Sequence, residues 1–123
     1  MTNKRILIID DEADIREATK LCLEVAAGWE ILTASSGIEG LQTAASEPLD
    51  AILLDVMMPD MDGLTTFEKL QANPKTQNIP VILLTAKAQP AEQRQFTQLA
   101  VTAVITKPYD PLTIASYIAE VLN

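Results

Sequence analysis

Histidine is absent from this chain, and cysteine and aromatic residues are scarce. The 123 residues include no histidine, one cysteine and 4% aromatic residues. A triad or metal site built on histidine is therefore excluded, as is a phosphohistidine on this chain. The lone cysteine, Cys22, cannot form an internal disulfide. Because it lies in an apolar helical pattern, we interpret it as a buried thiol in a reducing compartment.

Basic side chains are also few: nine Lys and Arg stand against seventeen Asp and Glu, for a net charge of −8. Binding to nucleic acid or to an anionic membrane needs a positive patch, so this balance argues against both partners. Residues 6–9 form an apolar run too short for a signal peptide, and no stretch approaches the length of a membrane span. We therefore expect a cytoplasmic protein in which residues 1–123 form a single domain.

The sequence does contain five short apolar runs, each followed by a helical pattern. The runs lie at 6–9, 29–33, 51–54, 81–85 and 103–106. Short runs bounded by turn residues are typical of buried parallel strands. The fourth helical pattern begins at Pro90 and the fifth at Pro111. This alternation predicts an α/β fold, a doubly wound five-stranded parallel sheet with five helices on its two faces.

Polar side chains mark the ends of four of these five predicted strands. Asp10 and Asp11 follow the first strand, Asp55 follows the third, Thr85 ends the fourth and Lys107 follows the fifth. The carboxyl ends of parallel strands meet at one edge of the sheet, where open α/β sheets bind their ligands. We therefore expect these five side chains to lie together.

The residue types at this edge favour phosphoryl transfer. Three carboxylates held close together repel one another, so ionising all of them requires a cation. Oxygen ligands without histidine or thiol favour Mg²⁺. Lys107 could balance the charge of Asp55 or of a phosphoryl group on it, and Thr85 offers a hydroxyl donor. A carboxylate nucleophile beside a metal and a lysine forms a coherent phosphoryl-transfer site.

Each of these residues also has an ordinary structural explanation. Acids are favourable at a helix N-terminus, which would account for residues 10–12. Thr85 alone would be a strand residue and Lys107 alone a surface lysine. Asp60 and Asp62 are better explained as turn and cap residues than as ligands. The combination of the strand-end residues is what favours a site.

Four motifs combine at these strand ends. They are Asp10-Asp11, the segment 54–59 with Asp62-Gly63, Leu84-Thr85-Ala86 and Lys107-Pro108-Tyr109. Together they resemble the receiver domain of bacterial two-component response regulators, over the whole length of the chain. The resemblance implies a flavodoxin-like sheet with strand order 2-1-3-4-5, as in a chemotaxis-type single-domain response regulator.

The resemblance also implies roles for individual residues. Asp55 would accept a phosphoryl group from a histidine kinase or phosphotransfer protein. The implied Mg²⁺ ligands are Asp10, Asp11, Asp55 and the backbone carbonyl of Met57. Lys107 would contact the phosphoryl group, and Thr85 would move toward it. This movement would alter the surface of the fourth helix, fifth strand and fifth helix, where a downstream effector protein binds. The Lys107–Pro108 peptide would be cis.

Two departures from the family pattern concern this output surface. The aromatic residue usual three positions before the lysine is Val104 here, so a swinging ring is unavailable at that position. Residues 99–101 also lack the common Gly-Ala. Neither departure affects the acceptor site. We expect a monomer or weak dimer that acts as a phosphorylation-controlled switch and not as a turnover enzyme.

Three alternatives remain. A receiver-like module could bind a partner without being regulated by phosphorylation, although the complete residue set favours the phosphoacceptor. A phosphohydrolase of the haloacid dehalogenase type also uses a strand-end aspartate nucleophile, but it needs a second aspartate where this chain has Met57. A flavodoxin-like FMN binder needs small phosphate-cradling residues where this chain has the acids 10–12.

Overall fold

Nine helices and strands are seen in a computed structural model that describes residues 3–86, 94 and 99–122. In chain order they are β1 (Arg5–Ile9), α1 (Ala13–Ala27), β2 (Glu30–Ala34), α2 (Gly37–Ser46), β3 (Ala51–Asp55), α3 (Gly63–Ala72), β4 (Val81–Thr85), β5 (Ala103–Thr106) and α4 (Pro111–Leu122). Most of the predicted fourth helix, which begins at Pro90, lies outside the described residues; Arg94 is helical, whereas Leu99 and Ala100 form a bend. The C-terminal helix is therefore α4 in this numbering. Within those ranges, no helix is long and apolar enough to cross a membrane.

The five strands form one parallel sheet in the order β2–β1–β3–β4–β5, which confirms the predicted fold and strand order. Ile9 lies opposite Leu54 in the β1–β3 register. Asp10 and Asp55 therefore leave neighbouring strands side by side. Thr85 ends β4 on the other side of β3. The topology thus brings the ends of β1, β3 and β4 to one edge of the sheet.

Apolar side chains cover both faces of the sheet, which explains why its strands are continuous apolar runs. The face toward α2 and α3 buries Leu7, Ile9, Leu54, Phe67 and Leu70. The face toward α1 and α4 buries Ile6, Ile8, Leu23, Ile114 and Ile118. With its core divided between two faces, the sheet forms a rigid base for the loops at its carboxyl edge.

The core-facing side of α1 differs from the sequence-based expectation. The pattern predicts an inward face of Ile15, Ala18, Leu21, Cys22 and Val25. Instead Leu21 and Val25 are 61% and 77% exposed, whereas Thr19 and Leu23 are completely buried. The inward stripe runs at intervals of four residues through Thr19 and Leu23, and Thr19 is held there by a 2.9 Å hydrogen bond to Tyr109. A polar residue in the centre of the stripe made the wrong face look more apolar.

Helix ends follow ordinary capping chemistry. Ser36 Oγ accepts the Glu39 N–H of α2 at 3.1 Å, and Asp110 Oδ1 accepts the Leu112 N–H of α4 at 2.9 Å. Gly28 follows α1 with φ 70°, a left-handed conformation that glycine adopts without a steric penalty. The apolar pattern of the last helix predicts that Leu112 faces the core, but Leu112 is 71% exposed. It lies in the first turn of α4, at the rim of the sheet.

Candidate functional site

Two buried aspartates and one exposed aspartate meet at the carboxyl edge of the sheet. Asp10 is 0% exposed and Asp55 is 2% exposed, while Asp11 faces solvent. One carboxylate oxygen from each lies within 4.8 Å of the other two. The backbone N–H of Asp10 donates to the Ala34 carbonyl at 3.1 Å, which ties the end of β1 to β2. The strands thus hold the predicted acids in one cluster.

Lys107, on the loop between β5 and α4, extends its amine into this cluster. Its Nζ lies 3.1 Å from Asp10 Oδ2, 3.3 Å from Asp55 Oδ2 and 3.1 Å from Glu12 Oε1. The Lys107–Pro108 peptide bond is cis, as the resemblance implies. One amine therefore lies among three carboxylates, one of which belongs to a residue outside the predicted site.

The net effect of burial and neighbouring charges is to raise the pKa values of both Asp55 and Lys107. Burial, together with the negative charge of Asp10, raises the pKa of Asp55 from 3.8 to about 7, although Lys107 opposes the shift. Burial acts to lower the pKa of Lys107, but the carboxylates of Asp55, Asp10 and Glu12 outweigh it and raise that pKa above its ordinary value. The amine therefore stays charged, and Asp55 is the group that titrates near neutral pH.

The carboxylate of Asp55 retains unused acceptor capacity. Among the described residues, its buried Oδ2 has no hydrogen-bond partner, since the contact with Lys107 at 3.3 Å lacks hydrogen-bond geometry. Its Oδ1 accepts a long 3.4 Å bond from the Met57 N–H. A buried acceptor of this kind is costly unless a ligand satisfies it. Three clustered carboxylates and an unsatisfied oxygen fit a hard divalent cation such as Mg²⁺.

Thr85 and Met57 flank the cluster. Thr85 is fully buried at the end of β4, and its carbonyl accepts the Lys107 N–H at 2.7 Å. The backbone thus connects the predicted threonine to the lysine. Met57 is the second residue of the loop between β3 and α3, and it is 61% exposed. This exposure agrees with a position whose backbone, and not its side chain, belongs to the site.

The same loop confirms the structural explanation of the two later acids. Asp62 Oδ1 caps α3 by accepting the Thr65 N–H at 2.8 Å, and this bond lowers the pKa of Asp62. Asp60 has φ 67°, the left-handed conformation of a turn residue. Gly63 lies so close to the backbone of Asp55 that a Cβ there would collide with the Asp55 carbonyl oxygen. The loop is therefore packed tightly against the backbone of Asp55.

Sequence reasoning missed Glu12 and the bond between Thr19 and Tyr109. Glu12 was explained as a helix-start acid, yet it reaches across to Lys107. Glu12 directly follows the two aspartates of the site, and this position was a signal that could have added it to the predicted site residues. Thr19 Oγ1 and Tyr109 Oη, 90 positions apart, lie 2.9 Å from each other. Ile15, Thr19 and Leu23 are four residues apart and fit one face of a helix, but the polar Thr19 made this face look less apolar than its neighbour.

Comparison with known proteins identifies the family. The sequence model of the response regulator receiver domain matches residues 6–119. The chain belongs to this family. The receiver domain of two-component response regulators was the resemblance carried by the four motifs, and the family match confirms it.

The receiver domain has relatives among larger regulators. It is 36% identical over 123 residues to the phosphate regulon transcriptional regulatory protein PhoB of Pseudomonas aeruginosa, covering 100% of this chain and 53% of that protein. It is 42% identical over 113 residues to the response regulator PleD of Caulobacter vibrioides, covering 89% of this chain and 24% of PleD. The chain thus spans about half, or less, of the length of the curated relatives it matches.

Solved structures of single receiver domains match its fold. The chemotaxis response regulator CheY4 of Vibrio cholerae superposes with a TM-score of 0.89 at 28% identity, covering 98% of this chain and 99% of that one. A CheY-like receiver domain protein of Methanospirillum hungatei gives a TM-score of 0.86 at 31% identity, covering 98% and 94%. The sheet and the helices are therefore those of the family.

Proposed function

We propose that this receiver domain is a phosphorylation-controlled switch, in which Asp55 accepts a phosphoryl group from a histidine kinase or phosphotransfer protein. The observation that carries the proposal is the buried Asp55 carboxylate, whose Oδ2 has no hydrogen-bond partner in the described part of the chain. It lies between a second buried carboxylate and a lysine amine 3.3 Å away. Such an oxygen is available for bonding to phosphorus.

In the proposed transfer, an Asp55 oxygen forms a bond to phosphorus as the phosphorus–nitrogen bond of the donor phosphohistidine breaks. The electron pair of the broken bond stays on the donor imidazole. Asp55 must be ionised to attack, and its raised pKa means that a nearby cation assists the reaction. Lys107 contributes one fixed positive charge. Its amine would contact the Asp55 carboxylate before the transfer and the phosphoryl group after it.

Mg²⁺ is the proposed cofactor. Its ligands would be Asp10, Asp11, Asp55 and the backbone carbonyl of Met57. The clustered oxygens of the three aspartates support this assignment. When bound, the ion would neutralise charge on the carboxylates and on the incoming phosphoryl group.

The proposed output is protein contact through the predicted fourth helix, β5 and α4, following movement of Thr85 toward the phosphoryl group. Thr85 is joined to Lys107 through its carbonyl, which gives the site a backbone connection to the start of this surface. PhoB, a relative, is a transcriptional regulatory protein, but the present domain carries a net charge of −8. We therefore propose a downstream effector protein, and not nucleic acid, as its direct partner. A cytoplasmic location, a single domain and a monomer or weak dimer remain predictions.

Intact-mass analysis after incubation with acetyl phosphate and Mg²⁺ tests the proposal. We expect the mass gain of one phosphoryl group, lost in Asp55→Asn and retained in Asp60→Asn, a matched substitution in the same loop. Without Mg²⁺ the gain should be much slower. No gain in the unaltered chain would favour a partner-binding module that phosphorylation does not regulate. Continuous release of phosphate over many turnovers would favour a phosphohydrolase.

A further inference from the structure

Glu12 occupies the N-cap position of α1 but does not cap the helix. Short acids at this position usually accept a hydrogen bond from an amide of the first turn. In the described part of the chain, the Glu12 side chain forms no such bond. Its Oε1 instead lies 3.1 Å from Nζ of Lys107, 95 positions away. The side chain is thus directed toward the lysine of the site.

The amine of Lys107 has three N–H donors, and three carboxylates surround it. They belong to Asp10, Asp55 and Glu12, at 3.1, 3.3 and 3.1 Å. The contacts with Asp10 and Glu12 are hydrogen bonds, whereas the contact with Asp55 is an ion pair without hydrogen-bond geometry. Two of the three donors of the amine are thus held by Asp10 and Glu12 in this structure. A phosphoryl group on Asp55 that takes a second donor from this amine must therefore displace Asp10 or Glu12.

Of these three carboxylates, Glu12 is the one that can leave at low cost. The Asp10 side chain is 0% exposed and the Asp55 side chain 3%, whereas the Glu12 side chain is 54% exposed. Glu12 and Lys107 also line a cavity of about 490 Å³ between α1 and the loop after β5, which gives the glutamate room to turn away. An exposed ion pair of this kind is weak enough to exchange for another partner.

We propose that Glu12 is a positioning residue that holds Lys107 in the unphosphorylated state and competes for it with a phosphoryl group on Asp55. The proposal rests on the proposed function of Asp55. Glu12 thereby lowers the occupancy of the phosphorylated state, and any change that shortens or neutralises its side chain releases the amine.

Phosphorylation of Glu12→Gln by acetyl phosphate and Mg²⁺, followed by intact mass, tests this competition. We expect the steady-state ratio of phosphorylated to unphosphorylated protein to be about two- to fivefold higher than in the unaltered chain. This factor corresponds to the free energy of an exposed ion pair. Removing any negative charge near the site would also favour an anionic donor. Asp14→Asn controls for that effect, since Asp14 is exposed on the first turn of α1 and forms no ion pair within the described residues.

Two further variants separate the direct contact of Glu12 with Lys107 from the general effect of its negative charge. Glu12→Asp keeps the charge but is one methylene shorter, so it should behave like Glu12→Gln if contact with Lys107 matters. It should behave like the unaltered chain if only the local field matters, and that result would overturn the proposal. In a Lys107→Ala background, Glu12→Gln should change the phosphorylated ratio by a factor near one. A change as large as in the parent would also overturn it.

A metal-free measurement distinguishes failure of this proposal from failure of the proposed function. Acetylation of Lys107 by acetic anhydride in EDTA, read by peptide mass, should be faster in Glu12→Gln and Glu12→Asp than in the unaltered chain or Asp14→Asn. Equal acetylation in all four would contradict the hold on Lys107, even if Asp55 is phosphorylated. Faster acetylation without any phosphorylation would retain the contact and reject the phosphoacceptor function.

Discussion

Asp55→Asn should stabilise the metal-free protein, and should do so increasingly as the pH rises. Burial raises the pKa of Asp55 from 3.8 to about 7, so the folded protein holds this proton more tightly than the unfolded chain does. A group of this kind contributes stability below its unfolded pKa and loses it as the pH rises through its folded pKa. At about 1.4 kcal/mol per unit, the full loss is about 4 kcal/mol. Asparagine, which resembles the protonated carboxyl, does not titrate.

Urea unfolding in EDTA, followed by circular dichroism between pH 5 and 8, measures the effect away from the sequence pI of about 4.3. About 3 kcal/mol of the loss falls in this window, so the advantage of Asp55→Asn should grow by that amount. Asp60→Asn, in an exposed turn of the same loop, should show no such growth. A constant difference between Asp55→Asn and the unaltered protein from pH 5 to pH 8 would refute the reasoning.

Three further substitutions test other contacts of the structure. Lys107→Ala should destabilise the metal-free protein in urea unfolding by about 3 kcal/mol at pH 8, because buried carboxylates lose their counter-charge. The loss should be smaller at pH 5, where Asp55 is protonated, and a pH-independent loss would contradict this. Tyr109→Phe should lower the free energy of unfolding by about 1 kcal/mol. The double variant with Thr19→Val should lose less than the sum of the two single variants, because both remove the same hydrogen bond. Strict additivity would exclude coupling through this bond. Gly63→Ala should cost about 3 kcal/mol in the same unfolding assay, because its Cβ meets backbone that cannot move aside, and an unchanged midpoint would disprove the tight packing.

The sheet and most of its edge could be predicted because their signals are local. A strand buried on both faces needs an unbroken apolar run, and β3 and β4 show such runs directly in the sequence. Parallel connection then brings their carboxyl ends to one edge without further information. Asp10 and Asp55 were predicted neighbours for this reason, and the register of Ile9 with Leu54 places them so.

The contacts that could not be predicted depend on side-chain reach across long stretches of chain. Periodicity alone cannot choose between two adjacent stripes of α1, because the deciding partner of Thr19 is Tyr109, 90 positions later. Glu12 was similarly assigned to its own helix, since a local rule accounted for an acid there. Its actual partner is Lys107, which only the folded sheet brings within 3.1 Å.

Stability and the proposed chemistry have opposite requirements at Asp55. A total unfolding free energy of about 5–15 kcal/mol is usual for a domain of this kind, so a cost near 4 kcal/mol at one carboxylate is a large share. Asparagine would remove the cost, but its amide is not the nucleophile that the proposed phosphoryl transfer requires. Buried polar groups are normally hydrogen-bonded, but Asp55 Oδ2 finds no hydrogen-bond partner within residues 3–86, 94 and 99–122. The buried carboxylate of Asp55 is therefore the group that would gain most from a bound ligand, and the charges of the surrounding acids and Lys107 would set the affinity for that ligand.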